Sequence, residues 1–141
     1  MQDNAEIASE ILQILGNLVE GCESLDMDLA YGMFSRSPDF LMMNTDGSVC
    51  DFGTFYKNDV EYLGACARFS LTTFGTEVRV IDHDTAVLAW SYRAEAVLKT
   101  GERDIVDKAG ASFLFVRKNG EWKVEYYHQS TTPLRRLPDT D

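Results

Sequence analysis

The chain has 141 residues, of which 45% are hydrophobic and 26% are charged, and its formal net charge is −10. This length predicts one globular domain that buries most of its apolar surface without metal or disulfide support. The negative charge argues against binding to nucleic acid or to an anionic membrane, because either surface would repel the chain.

Two helices are predicted at the start of the chain. Apolar residues recur every three or four positions between Ile7 and Val19, which predicts an amphipathic helix. Asp3 is placed to cap this helix, and Gly21 is placed where a C-cap glycine would end it. A second, shorter helix is predicted to begin at Ser24 and to end before Pro38.

A short strand and a third helix are predicted next. The apolar run of residues 39–44 predicts a strand, and the sequence TDG at residues 45–47 predicts the turn that follows it. The third helix is predicted over residues 53–65, with Asp51 as its cap, because apolar residues again keep helical spacing.

The second half of the chain has the alternating pattern of β-strands. Asn119-Gly120 is the strongest hairpin signal, because both residues accept the positive φ of a type I′ turn. Pro133 ends the last strand, and residues 134–141 are predicted to be a loose tail. Four long antiparallel strands are therefore predicted, over residues 69–81, 85–99, 103–117 and 121–132.

The sheet is predicted to be apolar on both faces. Phe113 to Val116 are four consecutive apolar residues, which leave no face of that strand suited to water. One face must pack on the helices, and an apolar second face is typical of a subunit interface. The sequence therefore predicts a homodimer.

The order of elements and the closing strand resemble a known superfamily. Residues 119–133, NGEWKVEYYHQSTTP, and residues 84–90, DTAVLAW, resemble the SnoaL-like branch of the NTF2-like superfamily. The closing strand is most similar to that of the association (hub) domain of calcium/calmodulin-dependent kinase II. The resemblance covers residues 5–133 and implies an α+β cone, with three N-terminal helices packed on a strongly curved, mostly antiparallel sheet. Residues 1–133 would form this single domain.

The resemblance also implies a conical pocket between the helices and the sheet. Arginines that line the pocket of the kinase hub correspond here to Tyr92, Phe113 and Gln129, none of which is basic. An uncharged, aromatic pocket is therefore expected, suited to a small and mostly apolar ligand. The residues predicted to form its walls are Tyr31, Tyr56, Trp90, Tyr92, Phe113, Tyr127 and Gln129.

Catalysis is an alternative to simple binding. Ketosteroid-isomerase-like members of this fold use an acid as proton shuttle and a tyrosine or acid as oxyanion donor. The corresponding candidates for the base are Asp39, which opens an apolar strand, and His128. If Tyr127 and Gln129 face the pocket, strand alternation directs His128 to the opposite face, unless a bulge intervenes.

No metal site and no cofactor are predicted. The two histidines are 45 positions apart, the three cysteines form no C-x-x-C pair, and there is no glycine-rich phosphate loop. The first ten residues contain three acids and no base, which is unlike a secretory signal, and no apolar run approaches the ~20 residues of a membrane span. Reduced cysteines and a cytoplasmic location are expected.

Three functions remain open at this stage. The leading interpretation is a dimer that binds a small apolar ligand; the others are an acid–base isomerase, cyclase or dehydratase, and a non-catalytic oligomerisation module. An enzyme should have a buried carboxylate or histidine inside the cavity, within ~3 Å of a second polar group.

Overall fold

The computed structural model describes residues 2–139. The first half contains three helices and two short strands, and the second half is almost entirely strand. The elements are α1 Asn4–Ser24, α2 Met27–Tyr31, β1 Leu41–Met43, β2 Val49–Cys50, α3 Phe52–Gly64, β3 Cys66–Asp82, β4 Thr85–Leu98, β5 Arg103–Lys118, β6 Glu121–Thr131 and β7 Arg135–Leu137.

Helix α1 begins where the sequence predicts but ends later. The carboxylate of Asp3 accepts a hydrogen bond from the backbone N–H of Glu6 at 2.8 Å, as expected of an N-cap. The helix continues through Gly21 to Ser24, and Leu25 closes it in the left-handed conformation, with φ at 58°. The prediction that Gly21 is the C-cap is therefore wrong.

Gly21 instead allows the first two helices to pack closely. A Cβ atom at Gly21 would lie 2.3 Å from the backbone nitrogen of Ala30, so no side chain fits at this crossing. Helix α2 is capped by Asp26, whose carboxylate accepts from the N–H of Leu29 at 3.2 Å. The prediction that Ser24 caps this helix is also wrong, because Ser24 still belongs to α1.

Helix α3 agrees with the prediction to within one residue at each end. Asp51 caps it by accepting a hydrogen bond from the N–H of Thr54 at 2.8 Å. Phe52, Phe55 and Leu63 lie on its buried face, at the three- and four-residue spacing of an amphipathic helix.

The strands form one mixed sheet in the order β2-β1-β6-β5-β4-β3. The four long strands are antiparallel, as predicted, and β1 pairs in parallel with β6. The hairpin between β5 and β6 has positive φ at Asn119 (54°) and Gly120 (77°), which confirms the predicted turn. The two-residue strand β2, which pairs with β1, was not predicted.

The sheet is curved, and the helices cover its concave face. Strand β3 has three irregularities in its register, at Cys66/Arg68, Thr73/Gly75 and Val80/Asp82, and such bulges bend and twist a strand. Inward side chains of α1, α3 and the long strands share one apolar core. The predicted α+β cone is therefore confirmed.

The C-terminal segment differs from the expected loose tail over residues 135–137. These residues form β7, which pairs antiparallel with the start of β5. Arg135 binds Asp107 with N–O distances of 2.8 and 2.9 Å, and Arg136 binds Asp104 at 2.7 and 2.9 Å. Two side-chain ion pairs thus hold the strand in place. Thr140 and Asp141, the end of the predicted tail, lie outside the described residues.

Candidate functional site

A cavity of about 350 Å³ lies between the helices and the concave face of the sheet. Its walls come from the three helices and from β3 to β6, and they are mostly aromatic and aliphatic. The residues that line it include Leu18, Cys22, Tyr31, Phe34, Phe55, Asp59, Tyr62, Phe69, Leu71, Trp90, Tyr92, Asp104, Tyr127, Gln129 and Leu134. Among the described lining residues, none is Lys, Arg or His.

Helix α3 directs an acidic side chain into this cavity. Asp59 lies four residues after Phe55 and four before Leu63, both of which are buried. Residues at this spacing share a helix face, so Asp59 occupies a position on the inward stripe of α3. It is half-buried, and it lines the cavity.

Asp59 forms a close pair with a tyrosine from α2. The hydroxyl of Tyr31 donates a hydrogen bond to Asp59 Oδ2 at 2.6 Å. Burial raises the pKa of Asp59 from 3.8 to about 6, and the hydrogen bond from Tyr31 offsets part of this effect. Within residues 2–139, no basic side chain forms a salt bridge with Asp59. Among the described residues, its negative charge therefore has no ion-pair partner.

A second polar group lies on the sheet side of the cavity. Gln129 of β6 donates a hydrogen bond from Nε2 to the hydroxyl of Tyr92 on β4. Burial raises the pKa of Tyr92, and it raises that of Tyr127 well above the ordinary value. Both hydroxyls therefore stay protonated at neutral pH.

The third polar group of the cavity includes a second carboxylate, Asp104, which differs from Asp59 because it forms an ion pair. Tyr62 donates to Asp104 Oδ2 at 2.7 Å, and the guanidinium of Arg136 binds both oxygens of Asp104. These hydrogen bonds, chiefly those from Arg136, hold the pKa of Asp104 below its usual value. Asp104 is thus ionised but compensated.

Five of the predicted wall residues meet in the cavity. Tyr31, Trp90, Tyr92, Tyr127 and Gln129 all line it. The first four are at most 5% exposed, and the rings of Trp90 and Tyr92 stack with centroids 3.9 Å apart.

The other two predicted wall residues are not among those that line the cavity. Phe113 is fully buried in the core, with its ring centroid 4.8 Å from that of Tyr127. Tyr56 stacks on Phe52 at 5.5 Å and contacts Tyr31 edge-on. Both residues support the wall from behind.

Neither candidate base lies in the cavity. Asp39 is exposed in the turn before β1, where its backbone N–H is bound by the hydroxyl of Ser37. His128 is exposed on the outer face of the sheet, because it alternates with the inward-facing Tyr127 and Gln129. The structure does not bring these two residues together.

Asp59 is the site residue that sequence reasoning missed. The signal was present, because an acid that occupies an inward helical position between Phe55 and Leu63 breaks the apolar stripe. Asp104 was missed in a similar way, whereas Asp107, the other acid of that strand, is exposed and paired with Arg135. An acid at a predicted core position therefore indicates a functional site better than an acid at an exposed position does.

Residues 2–139 contain neither a cluster of metal-binding side chains nor a membrane-spanning helix. No three His, Cys, Asp or Glu side chains are grouped closely enough to hold a metal ion. Among the helices of this range, none has the length and apolar character needed to cross a membrane.

The fold and its pocket define an NTF2-like α+β protein. The sequence matches the family described as the calcium/calmodulin dependent protein kinase II association domain over residues 7–133. This chain therefore belongs to that family. A search of curated proteins found no match.

Solved structures support the same fold. An NTF2-like superfamily protein from Salmonella enterica is 16% identical, with a TM-score of 0.80 over 93% of this chain and 94% of its own. A protein of Novosphingobium aromaticivorans, provisionally assigned as a scytalone dehydratase, is 13% identical, with a TM-score of 0.80 over 97% and 95%. The hexachlorocyclohexane dehydrochlorinase LinA-type3 of Novosphingobium barchaimii is 12% identical, with a TM-score of 0.75 over 96% and 94%. Such low identities establish the fold alone.

Proposed function

We propose that this protein binds a small, mostly apolar molecule in its cone. The observation that carries the proposal is the cavity of about 350 Å³, which has aromatic walls and a few inward-facing polar groups. That composition is typical of small-molecule sites, and the volume is near the lower end of their range of ~300–1,000 Å³. The aromatic side chains of the cone therefore leave room for a ligand.

Adjacent residues of β6 provide a matched test. Gln129 faces the cavity and His128 faces the outside. Gln129→Leu should change the mass or the amount of any small molecule that co-purifies, as measured by native mass spectrometry, and His128→Gln should not. Loss of assembly rather than of ligand in Gln129→Leu would contradict the assigned facing.

Acid–base catalysis is a second candidate, favoured by the Asp59–Tyr31 pair. The pair has a half-buried carboxylate inside the cavity and a neighbouring polar group at 2.6 Å, which is close to the arrangement expected of an enzyme of this type. With a pKa of about 6, Asp59 is mostly ionised at neutral pH and still basic enough to accept a proton. This assignment replaces Asp39 and His128 as the base.

The corresponding reaction is a proton transfer next to a carbonyl group. Asp59 would take the proton from carbon, the electron pair would move to the carbonyl oxygen, and the hydroxyl of Tyr92, which accepts a hydrogen bond from Gln129, would donate to that oxygen. Return of the proton to another carbon would complete an isomerisation. Asp59→Asn should abolish exchange of deuterium from solvent into a bound ketone, as measured by proton NMR, whereas Asp39→Asn should leave the exchange unchanged.

Self-association is a third candidate, favoured by the family match. The outer face of the sheet carries a concave region of about 520 Å³ lined by small side chains, including Ala89, Ser112 and Ser130. Small side chains allow the sheet of a second copy to approach closely. Ser112→Arg should shift a dimer to monomers in analytical ultracentrifugation. The control Asn58→Arg, on the exposed side of α3, should not.

A cytoplasmic location is also proposed. Cys22, Cys50 and Cys66 are all free thiols in the structure, and free thiols are typical of a reducing compartment.

A further inference from the structure

The charge inside the cavity is unbalanced. Two carboxylates line the cavity, and Arg136 compensates only one of them, Asp104. Asp59 receives a hydrogen bond from the neutral hydroxyl of Tyr31, which orients the carboxylate but does not cancel its charge. When Asp59 is ionised, the lined cavity therefore carries one net negative charge, at the Asp59 end.

The surroundings of Asp59 are rich in aromatic rings. Tyr31 and Phe55 meet edge to face with centroids 5.5 Å apart, and Phe55 lies 5.6 Å from Tyr127. Tyr92 and Tyr127 line the same cavity as Asp59. These rings come from α2, α3, β4 and β6, so both the helices and the sheet contribute aromatic groups to the cavity that holds the carboxylate.

Resting on the proposed binding function, we infer that the preferred ligand of the cone is a compact organic ammonium ion. Its positive charge would pair with Asp59, and its alkyl groups would contact the rings of Tyr31, Phe55, Tyr92 and Tyr127. Aromatic faces carry negative potential and attract cations, most strongly where water is excluded.

Other ligand classes use these groups less well. An anion is repelled by Asp59, and no basic side chain among the described lining residues would bind it. A neutral apolar molecule fills the same volume, but it leaves a desolvated carboxylate without a counter-charge. A monocation satisfies the carboxylate and the aromatic rings together.

The inference is tested with a pair of ligands of equal shape and different charge. Phenyltrimethylammonium and tert-butylbenzene are isosteres, and their dissociation constants would be measured by NMR titration of the whole protein. We expect the cation to bind about tenfold more tightly or better, the ratio that corresponds to a partly desolvated cation–aromatic and ion-pair contact. Equal or tighter binding of tert-butylbenzene would overturn the inference while leaving the binding pocket intact. If neither compound bound, the proposed binding function would fail as well.

Two variants locate the preference at Asp59. In Asp59→Asn, the cation should lose about tenfold in affinity while tert-butylbenzene binds as before, and Asp39→Asn should match the wild type. Tyr31→Phe removes the hydroxyl that competes for the carboxylate and should keep or increase the preference for the cation. An unchanged preference in a folded Asp59→Asn variant would overturn the inference. Loss of the preference for the cation in Tyr31→Phe would also overturn the inference. This second test leaves Asp59 itself unmutated.

Discussion

The two carboxylates of the cavity each have a tyrosine neighbour, but only one of them has a positive charge nearby. Each accepts one hydrogen bond from a tyrosine, and the two bonds have similar lengths: 2.6 Å from Tyr31 to Asp59 and 2.7 Å from Tyr62 to Asp104. Only Asp104 also has an arginine, and the pKa of Asp104 is lowered by it, whereas the pKa of Asp59 is raised by burial. The counter-charge, rather than the tyrosine, separates a structural acid from one available to a ligand.

The largest expected effect comes from removing the arginine. Arg136→Ala leaves Asp104, which is 3% exposed, without its cation and frees β7 from β5. We expect the largest loss in the free energy of unfolding among the substitutions at these two pairs, although it is smaller than for a fully buried pair because the Arg136 side chain is 51% exposed. Urea unfolding would measure it.

An exposed ion pair provides the control for that variant. Arg79 pairs with Glu77 at 2.8 Å, and both side chains are about 70% exposed, at 72% and 69%. Arg79→Ala should change the free energy of unfolding by less than about 0.5 kcal/mol. Equal effects of the two arginine substitutions would contradict the structural role given to Arg136.

Removing the unpaired charge of Asp59 should increase the free energy of unfolding, whereas Arg136→Ala should decrease it. Asn at position 59 can still accept the hydrogen bond from Tyr31, but it carries no charge to desolvate. Asp59→Asn should therefore stabilise the protein by about 1 kcal/mol at pH 7.5. Because the folded-state pKa of Asp59 is about 6 against 3.8 when unfolded, this gain should be complete above pH 6 and fade as the pH falls towards 3.8.

The pH dependence of that gain separates it from an unrelated packing effect. Urea unfolding of the wild type and of Asp59→Asn at pH 4 and pH 7.5 would measure it, with Asp39→Asn as the exposed control. A gain of the same size at both pH values would show that charge is not its cause.

Among substitutions at the two cavity pairs, the smallest expected effect comes from the tyrosine that donates to Asp104. Tyr62→Phe removes one donor from Asp104, but Arg136 still binds both carboxylate oxygens. We expect a loss of about 0.5 kcal/mol, at the low end of the range for one hydrogen bond. A loss larger than that of Arg136→Ala, in the same urea assay, would reverse the ranking of tyrosine and arginine.

Local signals made much of the fold predictable. The cap at Asp3, the cap at Asp51 and the Asn119-Gly120 turn each depend on residues close in the chain, and all three are confirmed. The requirement for Gly21 depends on a contact with Ala30 in another helix, which no local pattern reveals. Strand β7 has only three residues, too few for an alternating pattern.

The site was less predictable than the fold for the same reason. Tyr92, Tyr127 and Gln129 followed from the family resemblance and strand alternation, and these residues line the cavity. The pairs Tyr31–Asp59 and Asp104–Arg136 join residues 28 and 32 positions apart in sequence. Charge compensation at such distances becomes visible only once the chain is folded.

The most direct test is a pH titration of the Asp59 side-chain carboxyl carbon by ¹³C NMR. We expect a pKa of about 6 in the free protein, and a lower value when phenyltrimethylammonium is bound. Asp104 should titrate below its ordinary value in the same spectra. A pKa of Asp59 at its ordinary value of 3.8 in the free protein would contradict the claim that the cavity holds an uncompensated, desolvated carboxylate.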